Sequence, residues 1–110
     1  MKEKILELEK SLFKIEYMSD YNYLNNIISD NYLEIGKSGK KFTKEDVIND
    51  LINLKEDRNI KIIDFTCDKL SDNIYMVHYI TMNNNDKIFR TSIWQDNKIL
   101  FHQASLLKED

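Results

Sequence analysis

The chain has 110 residues, of which 42% are hydrophobic and 32% charged, with a formal net charge of −3. That length fits one domain spanning residues 1–110 and is too short for two separate cores; the apolar share excludes wholesale disorder. The mild negative charge leaves no basic footprint for nucleic acid and no polybasic patch for an anionic membrane.

Helical patterning opens the chain. Ile5, Leu8, Leu12, Ile15 and Met18 recur at helical spacing with Glu and Lys between them. The opening Met1-Lys2-Glu3-Lys4 is charged, where a signal peptide needs an apolar run. Asp20 is placed to cap a second short helix, with Tyr23, Leu24, Ile27 and Ile28 on one face. Asp30 to Ile35 reads as a strand, with Tyr32 and Glu34 on one face and Leu33 and Ile35 on the other. Gly36 and Gly39 then break the chain, both expected to permit positive φ. Thr43 followed by Asp46 forms a modified capping box before Val47, Ile48, Leu51, Ile52 and Leu54.

The second half reads as strands. Ile60 to Thr66, Ile74 to Met82, Lys87 to Gln95 and Lys98 to Leu106 are rich in β-branched and aromatic residues. Ser71-Asp72-Asn73, Asn83-Asn84-Asn85-Asp86 and Asp96-Asn97 separate them with hairpin-turn chemistry. The order predicts an α+β fold, with helices segregated to one face of a mainly antiparallel sheet. With one cysteine, Cys67, no internal disulfide is possible, and Cys67 is expected to be an inert strand residue. The cytoplasm is the expected location. The absence of proline and the excess of Asn, Lys, Ile and Asp fit an AT-rich bacterial genome.

Three stretches carry a family resemblance: Tyr32-Leu-Glu-Ile-Gly-Lys-Ser-Gly39, Phe89-Arg-Thr-Ser-Ile-Trp94 and Leu100-Phe-His-Gln-Ala-Ser105. With the element order, they make the chain resemble the nuclear transport factor 2-like superfamily. The branch in question has no assigned activity and is similar to the association (hub) domain of calcium/calmodulin-dependent protein kinase II. SnoaL-like polyketide cyclases and ketosteroid isomerase are more distantly similar. The resemblance implies a cone of helices wrapped by a curved sheet around a pocket. It does not imply one activity, because such a fold hosts isomerases, dehydratases, hydrolases and pure binding or assembly domains. Ala104 stands where a glycine commonly follows His-Gln.

Register follows from the turns. If Asp96-Asn97 is a two-residue turn, Trp94 pairs with Ile99, Ser92 with Phe101 and Arg90 with Gln103, all on one face. That face mixes apolar and convergent polar groups, as small-molecule pockets do. The other face, with Phe89, Thr91, Ile93, Leu100, His102 and Ala104, is largely apolar and needs covering, and the resemblance implies that a second copy covers it in a homodimer. His102 on that face would serve the fold or the dimer contact. A three-residue loop at Asn83-Asn84-Asn85 puts His78 opposite Arg90; a two- or four-residue loop puts Tyr79 there, beside Val77. We take the first alternative as the expectation.

The candidate ligand-binding set is therefore Tyr17, Tyr32, Glu34, His78, Arg90, Ser92, Trp94, Phe101 and Gln103, with Phe13, Glu16 and Tyr21 also on the helical side. Arg90 would clamp a carboxylate or be paired internally with Glu34 or Glu16. His78 and Glu34 are the candidates for proton transfer; Glu34 would otherwise tie the glycine loop through backbone amides. Two histidines and one cysteine, far apart, argue against a metal site, and no cofactor motif is present. Three functions remain: a non-catalytic domain for a small, anionic ligand, a small isomerase, dehydratase or cyclase, and a protein-assembly module.

Overall fold

A computed structural model of the chain describes residues 1–83 and 86–108. Three helices, α1 (Lys2–Ser11), α2 (Ile15–Met18) and α3 (Tyr21–Ile27), lead into β1 (Ile28–Ile35) and the short β2 (Lys41–Thr43). Helix α4 (Lys44–Ile52) follows, then the meander β3 (Lys61–Ser71), β4 (Ile74–Asn83), β5 (Asp86–Gln95) and β6 (Lys98–Leu106). The strands form one sheet in the order β2-β1-β6-β5-β4-β3. Every pairing is antiparallel except β1 with β6, which is parallel because the intervening chain crosses over. The helices pack on one face. Ile5, Met18, Leu24, Ile28, Val77, Tyr79, Trp94 and Ile99 form the centre of the core between them and the sheet.

The expected α+β order is present, with four local differences. The apolar periodicity from Ile5 to Met18 is split into two helices, with Lys14 extended between them. A segment distant in sequence causes the break: Asp57 Oδ1 accepts from the Ile15 amide at 2.6 Å, and the Phe13 carbonyl accepts from the Arg58 amide at 3.0 Å. Those bonds replace helical ones and satisfy the backbone groups that the break exposes. Strand β2 is the second difference, a three-residue ribbon pairing Glu34 with Phe42 at the sheet edge. The third is β3, which continues to Ser71 through a bulge between Ile63 and Thr66, where Asp64 has φ 55°. The fourth concerns the glycine loop: of its two glycines, only Gly39 has positive φ, at 86°.

The turn and cap chemistry is as expected. Asp96 and Asn97 have φ of 51° and 65°, the paired left-handed conformations of a two-residue hairpin turn. Asp20 accepts from the Tyr23 amide and caps α3. At α4, the Thr43 hydroxyl accepts from the Asp46 amide and Asp46 accepts from the Thr43 amide at 2.9 Å, completing the capping box. Among the described residues, no helix is long and apolar enough to cross a membrane. Thr43→Ala should remove one half of the box and cost about 1 kcal/mol, read as a lower urea midpoint. Thr43→Ser should retain most of that stability, and equal losses in both variants would contradict the capping role.

Candidate functional site

The concave face of the sheet is set by two registers. Asn83 pairs with Asp86, so Tyr79 lies opposite Arg90 and His78 opposite Thr91. The expected three-residue loop, which put His78 opposite Arg90, is thereby corrected; Asn84 and Asn85 themselves lie outside the described residues. His78 is on the convex face. Its Nδ1 is 2.8 Å from Thr91 Oγ1, and its ring stacks on Phe89 with centroids 5.6 Å apart.

The second register is shifted by one residue. Gln95 pairs with Lys98 and Trp94 with Ile99, as the turn predicts, but Ile93 then pairs with Phe101, so Leu100 is the extra residue of a bulge. Beyond it every side chain of β6 changes face relative to the expectation. Ser92 pairs with His102 and Arg90 with Ala104, rather than with Phe101 and Gln103. His102 and Ala104 are buried on the concave face; Phe101 and Gln103 lie on the convex one.

At the centre of the concave face is a carboxyl from α1. Glu9 is 1% exposed. Its Oε1 accepts from the Tyr79 hydroxyl and its Oε2 from the Trp94 indole Nε1 at 2.8 Å. Burial raises the Glu9 pKa, opposed by hydrogen bonding from Ser92, Tyr79 and Trp94 and by the charge of Arg90. Beside it, Ser92 Oγ is 2.6 Å from His102 Nδ1, and Arg90 Nη1 is 3.3 Å from His102 Nε2. An arginine can only donate, so Nε2 is the acceptor and the His102 proton resides on Nδ1, directed at Ser92. The Ser92 hydroxyl is thereby left to donate towards Glu9. Burial, reinforced by Arg90 and Arg58, lowers the His102 pKa from 6.5 to about 3, so the ring is neutral.

Arg90 is held by neutral acceptors. Its Nε donates to Thr81 Oγ1 at 2.8 Å, in addition to the His102 contact. Its guanidinium lies 5.5 Å from the centroid of the Phe13 ring, and that of Arg58 lies 4.7 Å from the same ring. Among the described residues, neither arginine takes part in an ion pair. Burial and the like charge of Arg90 both lower the Arg58 pKa, with Glu34 acting the other way. Both groups border a cavity of about 310 Å³, whose walls also include Glu9, Tyr32, Glu34, Tyr79 and His102. Tyr32 donates to Glu34 Oε1 at 2.5 Å, and burial together with that carboxylate pushes the Tyr32 pKa well up.

Of the residues expected at the pocket, Tyr32, Glu34 and Arg90 border the cavity, as does Phe13. Ser92 and Trp94 are on the concave face but belong to the buried network beneath it. Tyr17 packs on Tyr23 at 4.8 Å, away from the cavity, and Glu16 and Tyr21 are exposed. Phe101, Gln103 and His78 are on the far side of the sheet, so His78 and Glu34 cannot act as a pair. Glu34 does not tie the glycine loop: backbone bonds from Gly36 to Lys40 and from Gly39 to Gly36, both 2.9 Å, close it.

Two important residues escaped the sequence reading. Glu9 had a legible signal, since Ile5, Glu9 and Leu12 share one helical stripe and an acid there must be buried or break the pattern. Arg58 had none. It stands in the aperiodic polar run Lys55-Glu56-Asp57-Arg58-Asn59, and only the tertiary contacts at Phe13 and Ile15 bring it to the cavity. Among the described residues, no group of three or more His, Cys, Asp or Glu is placed to hold a metal ion.

No protein-family profile matches the sequence, and no curated protein sequence does. Solved structures do match in shape. A nuclear transport factor 2 (NTF2)-like protein from Cytophaga hutchinsonii superposes with a TM-score of 0.77 at 19% identity, over 97% of this chain and 98% of that one. An NTF2-like protein of unknown function from Prochlorococcus gives 0.74 at 20% identity, over 99% and 94%. A candidate calcium/calmodulin-dependent kinase II association domain from Exiguobacterium sibiricum gives 0.64 at 14% identity, over 99% and 93%. At these identities the likeness is one of fold, and the fold is the NTF2-like cone that the three sequence stretches implied.

The neutral imidazole makes stability depend on pH. Folded His102 takes up its proton near pH 3 and the unfolded residue near 6.5, so between those values the unfolded chain binds more protons. The contribution is full above pH 6.5 and is lost as pH falls, by at most about 5 kcal/mol over the window. Glu9, with its raised pKa, acts in the opposite sense. His102→Gln should therefore lose less stability than the wild type between pH 6.5 and 4 in urea titrations. Parallel profiles for the two proteins would rule the imidazole out as the cause.

Proposed function

On this NTF2-like fold, we propose that the chain is a binding domain for a small molecule bearing a carboxylate or similar anion, held by Arg58 and Arg90 without chemical turnover. One observation carries this reading: two guanidiniums border one cavity around a single Phe13 ring, and no ion pair among the described residues neutralises either. Like charges brought together at a half-buried site are costly unless an anion joins them. Arg90 is moreover positioned by the neutral Thr81 and His102, which orient the guanidinium without neutralising it.

The isomerase, dehydratase or cyclase reading needs a proton-transferring pair at the cavity. His78 is on the other side of the sheet, and His102, with a pKa of about 3, is a poor base near neutrality. Glu9 has both oxygens engaged by Tyr79 and Trp94. An assembly role has no comparable observation at the cavity.

A homodimer through the convex sheet face belongs to the same proposal. Ile63, Met76, Ile80, Phe89, Ile93 and Phe101 lie on that face across four strands, and Phe89 is 37% exposed. Two apolar rows flanking the polar row His78, Thr91 and Gln103 fit an isologous contact with a second copy.

Two experiments address these points. In a thermal-shift titration with small carboxylates, Arg90→Ala and Arg58→Ala should each weaken binding by about 10- to 100-fold, for roughly 1.5–3 kcal/mol per charged hydrogen bond. Equal shifts in wild type and variants would remove the arginines from the site. In sedimentation at micromolar concentration the wild type should run as a dimer and Phe89→Glu as a monomer. A monomeric wild type would end the dimer proposal.

A further inference from the structure

The two arginines border two adjoining spaces. The apolar part of the inner cavity's wall includes Leu12, Phe13, Ile28, Val47, Leu51 and Ile99. A second depression is bordered by polar groups of the surface loops, Lys37, Ser38, Asp57 and Asn59, together with the apolar Ile60, Ile88 and Ala104. Glu34, Phe42, Arg58 and Arg90 border both. The guanidiniums therefore lie where the two spaces meet, with the apolar wall of Leu12, Ile28, Val47, Leu51 and Ile99 on one side.

We infer that the ligand is an amphiphilic monocarboxylate, its carboxylate at Arg58 and Arg90 and a short alkyl or aryl body directed into the inner cavity. The inference rests on the anion-binding reading above and adds the ligand's charge, polarity and orientation. The apolar wall favours a body that gives up water contact there. Glu34 and Asp50 border the same cavity and disfavour a second negative charge on the ligand, so a monocarboxylate suits it better than a dianion. The buried Glu9 network is already engaged at this cavity. Tyr79 already donates to Glu9, whose other oxygen is taken by Trp94. A second carboxylate placed beside Glu9 would meet a buried acid.

The test titrates the full chain, by calorimetry or by NMR shifts for weak binders, with sodium acetate, butyrate, hexanoate, benzoate, succinate and inorganic phosphate. Affinity should rise roughly fourfold per methylene, so about 15-fold from butyrate to hexanoate. Benzoate and hexanoate should exceed succinate and phosphate. Val47→Trp, which fills the inner cavity, should remove the gain of hexanoate over butyrate, and Arg58→Gln should weaken both. Should Val47→Trp not fold, Leu12→Phe makes the same comparison. If acetate, succinate or phosphate binds as tightly as hexanoate and Arg58→Gln weakens them, the anion site stands and the amphiphile inference is overturned. If none of the six binds the folded wild type, the anion-binding reading fails and takes this inference with it.

Discussion

Everything on the concave side depends on the buried carboxyl of Glu9. It joins the first helix to the sheet through Tyr79 and Trp94, partners 70 and 85 residues away in sequence. A carboxyl removed from water is strongly unfavourable unless its oxygens are bonded, so the helix has few tolerable positions other than this one. With α1 fixed, Leu12 and Phe13 fall at the wall of the cavity, and the Phe13 carbonyl receives the Arg58 amide. The aromatic ring that sits against both arginines is thus placed by an acid one helical turn earlier.

The same network also decides what Arg90 can do. Hydrogen bonds are satisfied in sequence from Arg90 to His102, from His102 to Ser92, and from Ser92 towards Glu9. Each step uses the donor of one group and the acceptor of the next, which leaves the imidazole with one tautomer. Among the described residues no buried side-chain polar atom lacks a partner. A guanidinium oriented by neutral groups keeps its charge available to a ligand, whereas one locked to a carboxylate would not.

One extra residue in β6 makes that arrangement possible. Without the bulge at Leu100, Phe101 and Gln103 would turn inward, as strict alternation from the Asp96-Asn97 turn requires. Arg90 would then meet Gln103, and His102 would face outward. Strict alternation reads such a strand correctly only up to its first irregularity, because the side-chain period is two and a single insertion inverts every later position. The connection between β4 and β5 has a similar effect, exchanging His78 for Tyr79 at the cavity.

The sequence by itself determined the α+β order apart from the α1/α2 break and β2, the caps at Asp20 and Thr43 and the left-handed turn at Asp96-Asn97, since each rests on local periodicity or backbone chemistry, while the NTF2-like fold was implied by the resemblance of three stretches. It also placed Tyr32, Glu34 and Arg90 on the side of the sheet that borders the cavity. Tertiary structure alone decided the break after Ser11, the bulge at Leu100, the inward turn of His102 and the arrival of Arg58 beside Phe13. These features exist because backbone amides, a buried acid and two guanidiniums find partners far away in the chain. The cavity that follows from them has no counterpart in any local stretch of residues.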